Sequence, residues 1–382
     1  MTKIKIGILN FQYSDHNYGA VLQASALESV VNGLGYNAQH IDYIPYDKNQ
    51  IKNKIKYGFL GHIIKFFLGK SNLFSYTMNN NVFEEFRQKW ITRTTDVYLN
   101  SSDLTKIASN YAGLIVGSDQ VWRYSMFFSE HDYHAYFLQF ASDSTIKISY
   151  AASFGVDHWE KNDDPIITNS IKSYLSKFDA ISVREDSGVK ICNDIFSVNS
   201  THVLDSTLLA GKEFFDKIIS SSSIASSNNQ RKPTIVYYKL DITKDFKNKL
   251  KKISNTLNIQ TKNIYYSEGI FYNKYINVTS WLEQIKNSTL VITDSFHCVC
   301  FSIIFNKNFV CIKNKNRGES RLFSLLGSLG LTDRFITEDE LDTCLENIQD
   351  IDYTKINTII EEQRKNSLTF LINALSKTNA IR

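Results

Sequence analysis

Short apolar runs recur along this chain, and each stops at a polar turn that opens a segment with helical spacing. That rhythm commits the polypeptide to alternating strands and helices. In the first instance Ile6-Gly7-Ile8-Leu9 ends in a polar loop, Asn10 to Gly19. Val21, Leu22, Leu27, Val30, Val31 and Leu34 then follow at helical intervals, Gly33 and Gly35 close that helix, and residues 38–43 form a second strand. A βαβ opening predicts a parallel sheet with ligands beyond the carboxyl ends of its strands, which directs attention to Asn17-Tyr18-Gly19.

The same alternation continues with strands near residues 114–116, 147–151, 180–183 and 202–204 and a helix over 166–177. A polar stretch from Ser220 to Gln230 reads as an exposed loop. Strands resume at 234–240, 263–266, 290–293 and 309–312, separated by helices near 242–257, 281–287 and 297–305. A chain of 382 residues suits two domains. The expected fold class is therefore α/β, with two Rossmann-like domains facing a central cleft: residues 1–209, carrying an insertion over about 46–80, and residues 210–382. The tail over 353–377 is helical by pattern and long enough to cross back onto the first domain.

The charge balance of 43 basic against 39 acidic residues gives a weak overall field and no reason to expect a nucleic-acid partner. The five cysteines include no CxxC pair, so neither a disulfide framework nor a metal centre is expected. Lys3 to Leu9 lacks the apolar length of a signal peptide, and no window reaches the roughly 20 apolar residues of a membrane-spanning helix. A cytoplasmic protein fits these features. One stretch stands apart: from Lys48 to Phe83 there is no acidic residue, while six lysines alternate with Ile51, Ile55, Phe59, Ile63, Phe66 and Phe67. Such an amphipathic basic element suits peripheral contact with the inner face of a membrane, at about 1 kcal/mol per lysine, or packing of its apolar side on the first domain.

Four strand ends carry candidate chemistry. Val291-Ile292-Thr293 breaks into Asp294-Ser295-Phe296-His297 before an apolar helix, so Asp294 and Ser295 are placed to cap that helix and His297 projects from its first turn, where anions are attracted. The plainer role is a capped helix with a packed histidine. Gly117-Ser118-Asp119-Gln120 likewise follows a buried strand, and Asp119 serves equally well as a turn-forming residue. Arg184, at the end of Ser182-Val183-Arg184, offers a bidentate clamp for carboxylate or phosphate, or a salt bridge to Glu185 or Asp186. Arg317 and Arg321 place two more guanidinium groups after a strand of the second domain, where a solvated charge cluster is the alternative. No GxGxxG or Walker sequence is present.

In order along the chain, Asn17-Tyr18-Gly19-Ala20-Val21-Leu22-Gln23, Val116-Gly117-Ser118-Asp119-Gln120-Val121-Trp122, Ser149-Tyr150-Ala151-Ala152-Ser153-Phe154-Gly155, Ser182-Val183-Arg184-Glu185, Val203-Leu204-Asp205 and Thr293-Asp294-Ser295-Phe296-His297 resemble the polysaccharide pyruvyl transferase family. The resemblance covers about residues 3 to 335 and implies a glycosyltransferase-B-like fold. It also implies transfer of the pyruvyl group of phosphoenolpyruvate to a sugar of a polysaccharide or lipid-linked glycan precursor, with no cofactor. Arg184 and His297 match positions associated with donor binding and catalysis, with Asp119 or Asp294 as partner of the histidine or base for the sugar. Asn17, Tyr18, Gly19, Ser118, Gln120, Ser153, Ser295 and Phe296 are expected around the substrates. Some members have arginine where this chain has Ser295, and Arg321 or Arg317 is the expected replacement. A nucleotide-sugar glycosyltransferase and a non-catalytic glycan-binding scaffold are the competing readings.

Overall fold

The computed structural model describes residues 3–45, 77–78, 81–127, 129–221, 232–267, 273–314 and 317–381. In chain order its strands are β1 (Lys5–Leu9), β2 (Asn37–His40), β3 (Thr77–Met78), β4 (Gly113–Asp119), β5 (Ile146–Ala152), β6 (Ala180–Val183), β7 (Thr201–His202), β8 (Thr234–Tyr238), β9 (Gln260–Asn263), β10 (Tyr266–Ser267), β11 (Asn273–Tyr275), β12 (Leu290–Thr293), β13 (Asn308–Ile312) and β14 (Phe335–Ile336). The first lobe holds a parallel sheet in the order β2-β1-β4-β5-β6-β7, and the second a parallel sheet in the order β14-β13-β12-β8-β9. Both sheets are buried on two faces, which explains why their strands read as continuous apolar runs. Ile6, Ile8 and Ile115 face one layer of helices, while Leu114 and Val116 face the other.

In each sheet the strand order reverses once, between β1 and β4 and between β8 and β12. At such a point the loops beyond neighbouring strands diverge and leave a crevice. Residues 10–17 and Ser118 to Gln120 border the first crevice, and Lys239 to Asp241 with Asp294 and Ser295 border the second.

Several elements tie the lobes together. The helix Ser206–Ser220 leaves helical geometry at Gly211 (φ 74°, ψ −177°) and then packs Phe215 against Phe301 of the second lobe, ring centroids 4.7 Å apart. The helix Tyr353–Ser376 begins in the second core through Ile356 and Ile360 and ends against Ile6 and Ile8 through Leu371 and Leu375. On the way, Ser367 Oγ accepts the Leu204 N–H at 2.9 Å and Arg364 Nε donates to the Leu209 carbonyl at 3.1 Å. A small third sheet, β10-β11-β3, pairs a strand of the first-lobe segment with one of the second lobe. The basic element over about 46–80 falls almost entirely outside the described residues.

Candidate active site

Arg184 follows β6 directly and is held with its side chain 1% exposed. Its Nη1 donates to Asp205 Oδ2 at 2.8 Å, and its Nη2 lies 3.6 Å from Asp119 Oδ1. The sequence alternative of a bridge to Glu185 or Asp186 is therefore replaced by partners on two other strand ends. Asp205 is the hub. Its Oδ2 also accepts from Ser118 Oγ at 2.9 Å, and its Oδ1 accepts from Thr207 N at 2.9 Å and Thr207 Oγ1 at 2.7 Å. Burial by itself would raise this carboxyl, yet the adjoining His297, Arg184 and Thr207 hold it far below the usual carboxylate range. Gly117 makes the β4 turn feasible: at φ +121° a Cβ there would lie 2.1 Å from the Tyr150 carbonyl oxygen.

The second lobe contributes the helix Phe296–Ile304, whose N-cap Ser295 makes no side-chain capping bond. His297, on its first turn, brings Nε2 to 3.7 Å from Asp205 Oδ2, an ion-pair separation rather than a hydrogen bond. The first helix of the chain, Tyr18–Gly33, runs so close that a Cβ on Gly19 would sit 2.1 Å from His297 Nδ1. That contact confines the ring and leaves Nε2 as the nitrogen facing Asp205. Phe296 lies between two cations, with the Arg184 guanidinium 4.3 Å and the Arg321 guanidinium 5.5 Å from its ring centroid. Burial, and next the charge of Arg184, lower Arg321 to about 10. Arg184 Nε and Nη2, Arg321 Nε and His297 Nε2 are all shielded from solvent without a hydrogen-bond partner among the described residues.

Several expectations change. Neither Asp119 nor Asp294 is the partner of His297, because Asp205 occupies that place. Asp119 Oδ1 accepts the Gln120 N–H at 2.8 Å, and Asp294 accepts from Leu240 N and Asn314 Nδ2, each at 2.8 Å, stitching the ends of β8, β12 and β13. Asp294 and Ser295 do not cap the following helix: Asp294 is taken by those donors, and Ser295 meets the chain through its own N–H, which donates to Thr293 Oγ1 at 3.0 Å. Arg317 turns away to a paired contact with Asp241, at 3.1 and 3.0 Å, so Arg321 alone stands beside Arg184.

Asn17, at the edge of the first crevice, and the buried Tyr18 have their polar groups engaged in holding structure. The Asn17 side-chain Oδ1 caps the first helix by accepting the Ala20 N–H at 3.3 Å. Tyr18 stacks on Trp281 of the second lobe at 5.1 Å and 4°, and its hydroxyl accepts the Ile276 N–H at 3.0 Å. Ser153 Oγ donates to Glu185 Oε1 at 2.9 Å, and Gln120 Oε1 accepts from Arg123 Nη1 at 3.1 Å. Glu185 itself, raised by burial above the usual carboxylate range, receives the Phe154 N–H at 2.9 Å and braces the loop around Gly155.

The residue that sequence reasoning passed over is Asp205. Its signal was present in Val203-Leu204-Asp205, an apolar strand end followed by Ser206 and Thr207, but that pattern is equally an ordinary helix N-cap. Asp205 does cap the helix Ser206–Ser220 with Oδ1 while Oδ2 serves the cluster, and a one-dimensional pattern carries only the first role. A cavity of about 120 Å³ adjoins Arg184, Asp205 and Phe296.

Residues 17–316 match the model of the polysaccharide pyruvyl transferase family. No curated protein matches the chain in sequence. Among solved structures, the UDP-GlcNAc 2-epimerase of Neisseria meningitidis bound to UDP-GlcNAc is similar at a TM-score of 0.53 and 8% identity, over 98% of this chain and 99% of that one. The UDP-N-acetylglucosamine 2-epimerase from Rickettsia bellii is similar at 0.53 and 8%, over 100% and 98%. At such identities the likeness shows the two-lobed glycosyltransferase-B-like fold and leaves the chemistry to the site.

Proposed function

Because this chain belongs to the polysaccharide pyruvyl transferase family, we propose that it transfers the pyruvyl group of phosphoenolpyruvate to a sugar of a polysaccharide or of its lipid-linked precursor. Two hydroxyls of the sugar become a pyruvate ketal and phosphate leaves. The observation that carries this reading is the set of buried nitrogens around Phe296: four, on Arg184, Arg321 and His297, lack a hydrogen-bond partner among the described residues, while Asp205 is surrounded by donors. Buried cationic donors without partners call for an anion, and a molecule with both a phosphate and a carboxylate answers two guanidinium groups at once.

In this mechanism Arg184 and Arg321 bind the donor, and Arg321 takes the place of the arginine found at the Ser295 position in some members of the family. His297 Nε2 delivers a proton to C3 of the enol, which makes C2 electrophilic, and the Asp205 carboxylate 3.7 Å away positions the ring. Asp119 accepts the proton of the attacking sugar hydroxyl. Attack of that hydroxyl at C2 is followed by departure of phosphate, which carries off the proton taken up by Asp119, and closure by the second hydroxyl, whose proton returns to His297, completes the ketal. In the simplest test, the protein is incubated with phosphoenolpyruvate and candidate sugars, and phosphate release is followed together with the mass gain of a pyruvyl ketal. Release of a nucleotide from a sugar nucleotide, with phosphoenolpyruvate untouched, would overturn the reading.

The place of action follows from the basic stretch over about 46–80, which in this reading brings the enzyme to the inner face of an anionic membrane, where a lipid-linked precursor is reached. No helix among the described residues is long and apolar enough to cross a membrane. Co-sedimentation with anionic liposomes at low salt is the expected result, and its absence would remove the membrane from the proposal.

A further inference from the structure

Beside the cluster lies a fully buried carboxyl with no part in the proposed chemistry, that of Glu185. It stands at the N-cap position of the helix Asp186–Asp194, yet its side chain makes no capping bond there. Instead Oε1 reaches across to the end of β5 and gathers Ser153 Oγ and Phe154 N, each at 2.9 Å, and Gly155 N at 3.4 Å. An acidic N-cap ordinarily serves the first turn of its own helix, so the diversion of this one marks the Ser153–Gly155 turn as the element it holds.

That turn is where the lobes meet. Gly318 of the second lobe (φ +78°) lies so near the Gly155 carbonyl that a Cβ there would overlap its oxygen and sit 3.2 Å from Arg321 Nε. Gly155 (φ +76°) has no more room on its own side, where a Cβ would run into Gln120 and Arg123. Backbone against backbone leaves no side chain to absorb a shift, so any movement of the turn passes to the start of the helix Glu319–Leu329 and to Arg321 in its first turn.

The charges follow the same geometry. Glu185 Oε2 on the first lobe and Arg321 Nε on the second are an acceptor and a donor, both shielded and both without a hydrogen-bond partner among the described residues. Burial raises Glu185, and Arg184 and then Arg321 are the charges that oppose it. Burial and then Arg184 lower Arg321, and Asp119 and Glu185 are the anions that oppose that. Asp119 lies 3.6 Å from Arg184, which has Asp205 at 2.8 Å besides. Glu185 is left as the carboxylate that balances Arg321.

We infer that Glu185 is a positioning residue for Arg321: its carboxylate offsets the guanidinium of the opposite lobe, and the turn it holds is the stop that sets Arg321 beside Phe296. Arg184 is fixed within the first lobe by its own ion pairs, so the spacing of the two guanidinium groups is decided at the Glu185 turn. The consequence for donor binding rests on the pyruvyl-transfer reading; the coupling of Glu185 to Arg321 does not.

Glu185→Gln keeps an acceptor oxygen for Ser153 and the two N–H groups while removing the charge. In calorimetry with phosphoenolpyruvate on the full chain, affinity should fall about tenfold in Glu185→Gln and at least as far in Arg321→Gln, with no further loss when the two are combined. Phosphate release under turnover should carry the loss in KM, with kcat kept within about threefold. Losses that multiply in the double variant, unchanged affinity in Glu185→Gln, or a fall in kcat without a rise in KM would overturn the inference. Were Glu185→Gln not to fold, Glu185→Asp, which keeps the charge but withdraws it by one methylene, takes its place with the same outcomes expected. If phosphoenolpyruvate bound to none of these proteins, the wild type included, the donor reading would fall and urea unfolding would judge the coupling by itself. A midpoint in the double variant lowered by less than the sum of the two single shifts supports it, and additive shifts remove it.

Discussion

Asp205 and Asp294 invite comparison because they are so alike in place and so unlike in state. Each follows a strand of a parallel sheet, Asp205 shortly after β7 and Asp294 directly after β12, and each is 1% exposed. Burial raises both carboxyls. At Asp294 the donors are one backbone N–H and one side-chain amide, both uncharged, and the net direction stays upward. At Asp205 the neighbours are His297 and Arg184, with two hydroxyls and an N–H besides, and the direction reverses. The same residue at the same depth is thus a charged hub in one lobe and a structural tie in the other, and the difference lies in the cations supplied by other elements.

The comparison is sharpened most by the histidine that only Asp205 faces. His297→Ala should cut transfer by about two to four orders of magnitude with the thermal transition retained, and near-normal turnover would remove its role. Next in size is Asp205→Asn, which leaves the buried Arg184 without its ion pair and should destabilise by about 3–5 kcal/mol in denaturant unfolding. Asp294→Asn should cost less, about 1–3 kcal/mol for a disturbed pair of buried hydrogen bonds, and should leave turnover largely intact. If the two substitutions proved equal in both readouts, the contrast would fail.

Acid behaviour separates them as well. The folded pKa of Asp205 lies below its ordinary value of 3.8, so its contribution to stability is complete above about that pH and is lost as pH falls further. That of Asp294 is raised, so its contribution is present below about 3.8 and is lost as pH rises through the folded value. Unfolding midpoints measured from about pH 2 to 6 should therefore show a shallower acid decline in Asp205→Asn and not in Asp294→Asn.

Smaller effects bear on how the lobes hold His297. Gly19→Ala drives a methyl into the imidazole and should destabilise by about 1–3 kcal/mol while lowering turnover; full activity would show that the ring is not confined there. Smallest is Arg317→Ala: the Arg317–Asp241 pair is about half exposed and should contribute at most about 1 kcal/mol, with donor affinity unchanged. A loss of donor affinity in that variant would return Arg317 to the site in place of Arg321.

Much of this molecule is legible along the chain, because burial on both faces of a parallel sheet writes itself as uninterrupted apolar runs, and the turns that end those runs are where side chains can meet a ligand. Arg184, Asp119 and His297 each stand at or just beyond such a strand end. Roles that depend on one element meeting another were not legible. Tyr18 and Gly19 look like a ligand loop in sequence, yet they close the space between Trp281 and His297 some 260 positions on. Of two arginines four residues apart, Arg321 is buried beside Phe296 and Arg317 is tied to Asp241, because Arg321 lies in the first turn of the helix Glu319–Leu329 while Arg317 precedes the left-handed N-cap Gly318.

Asp205 is the sharpest case. The sequence by itself determined that it would start a helix, since an acidic residue before Ser206 and Thr207 meets the free N–H groups of a first turn through contacts one or two residues away. Only the tertiary structure decided that its second oxygen would meet Arg184, Ser118 and His297, which come from three other segments and both lobes. The electrostatic state of a buried carboxylate is set by the charges within a few ångströms, and those neighbours are chosen by packing rather than by proximity in the chain.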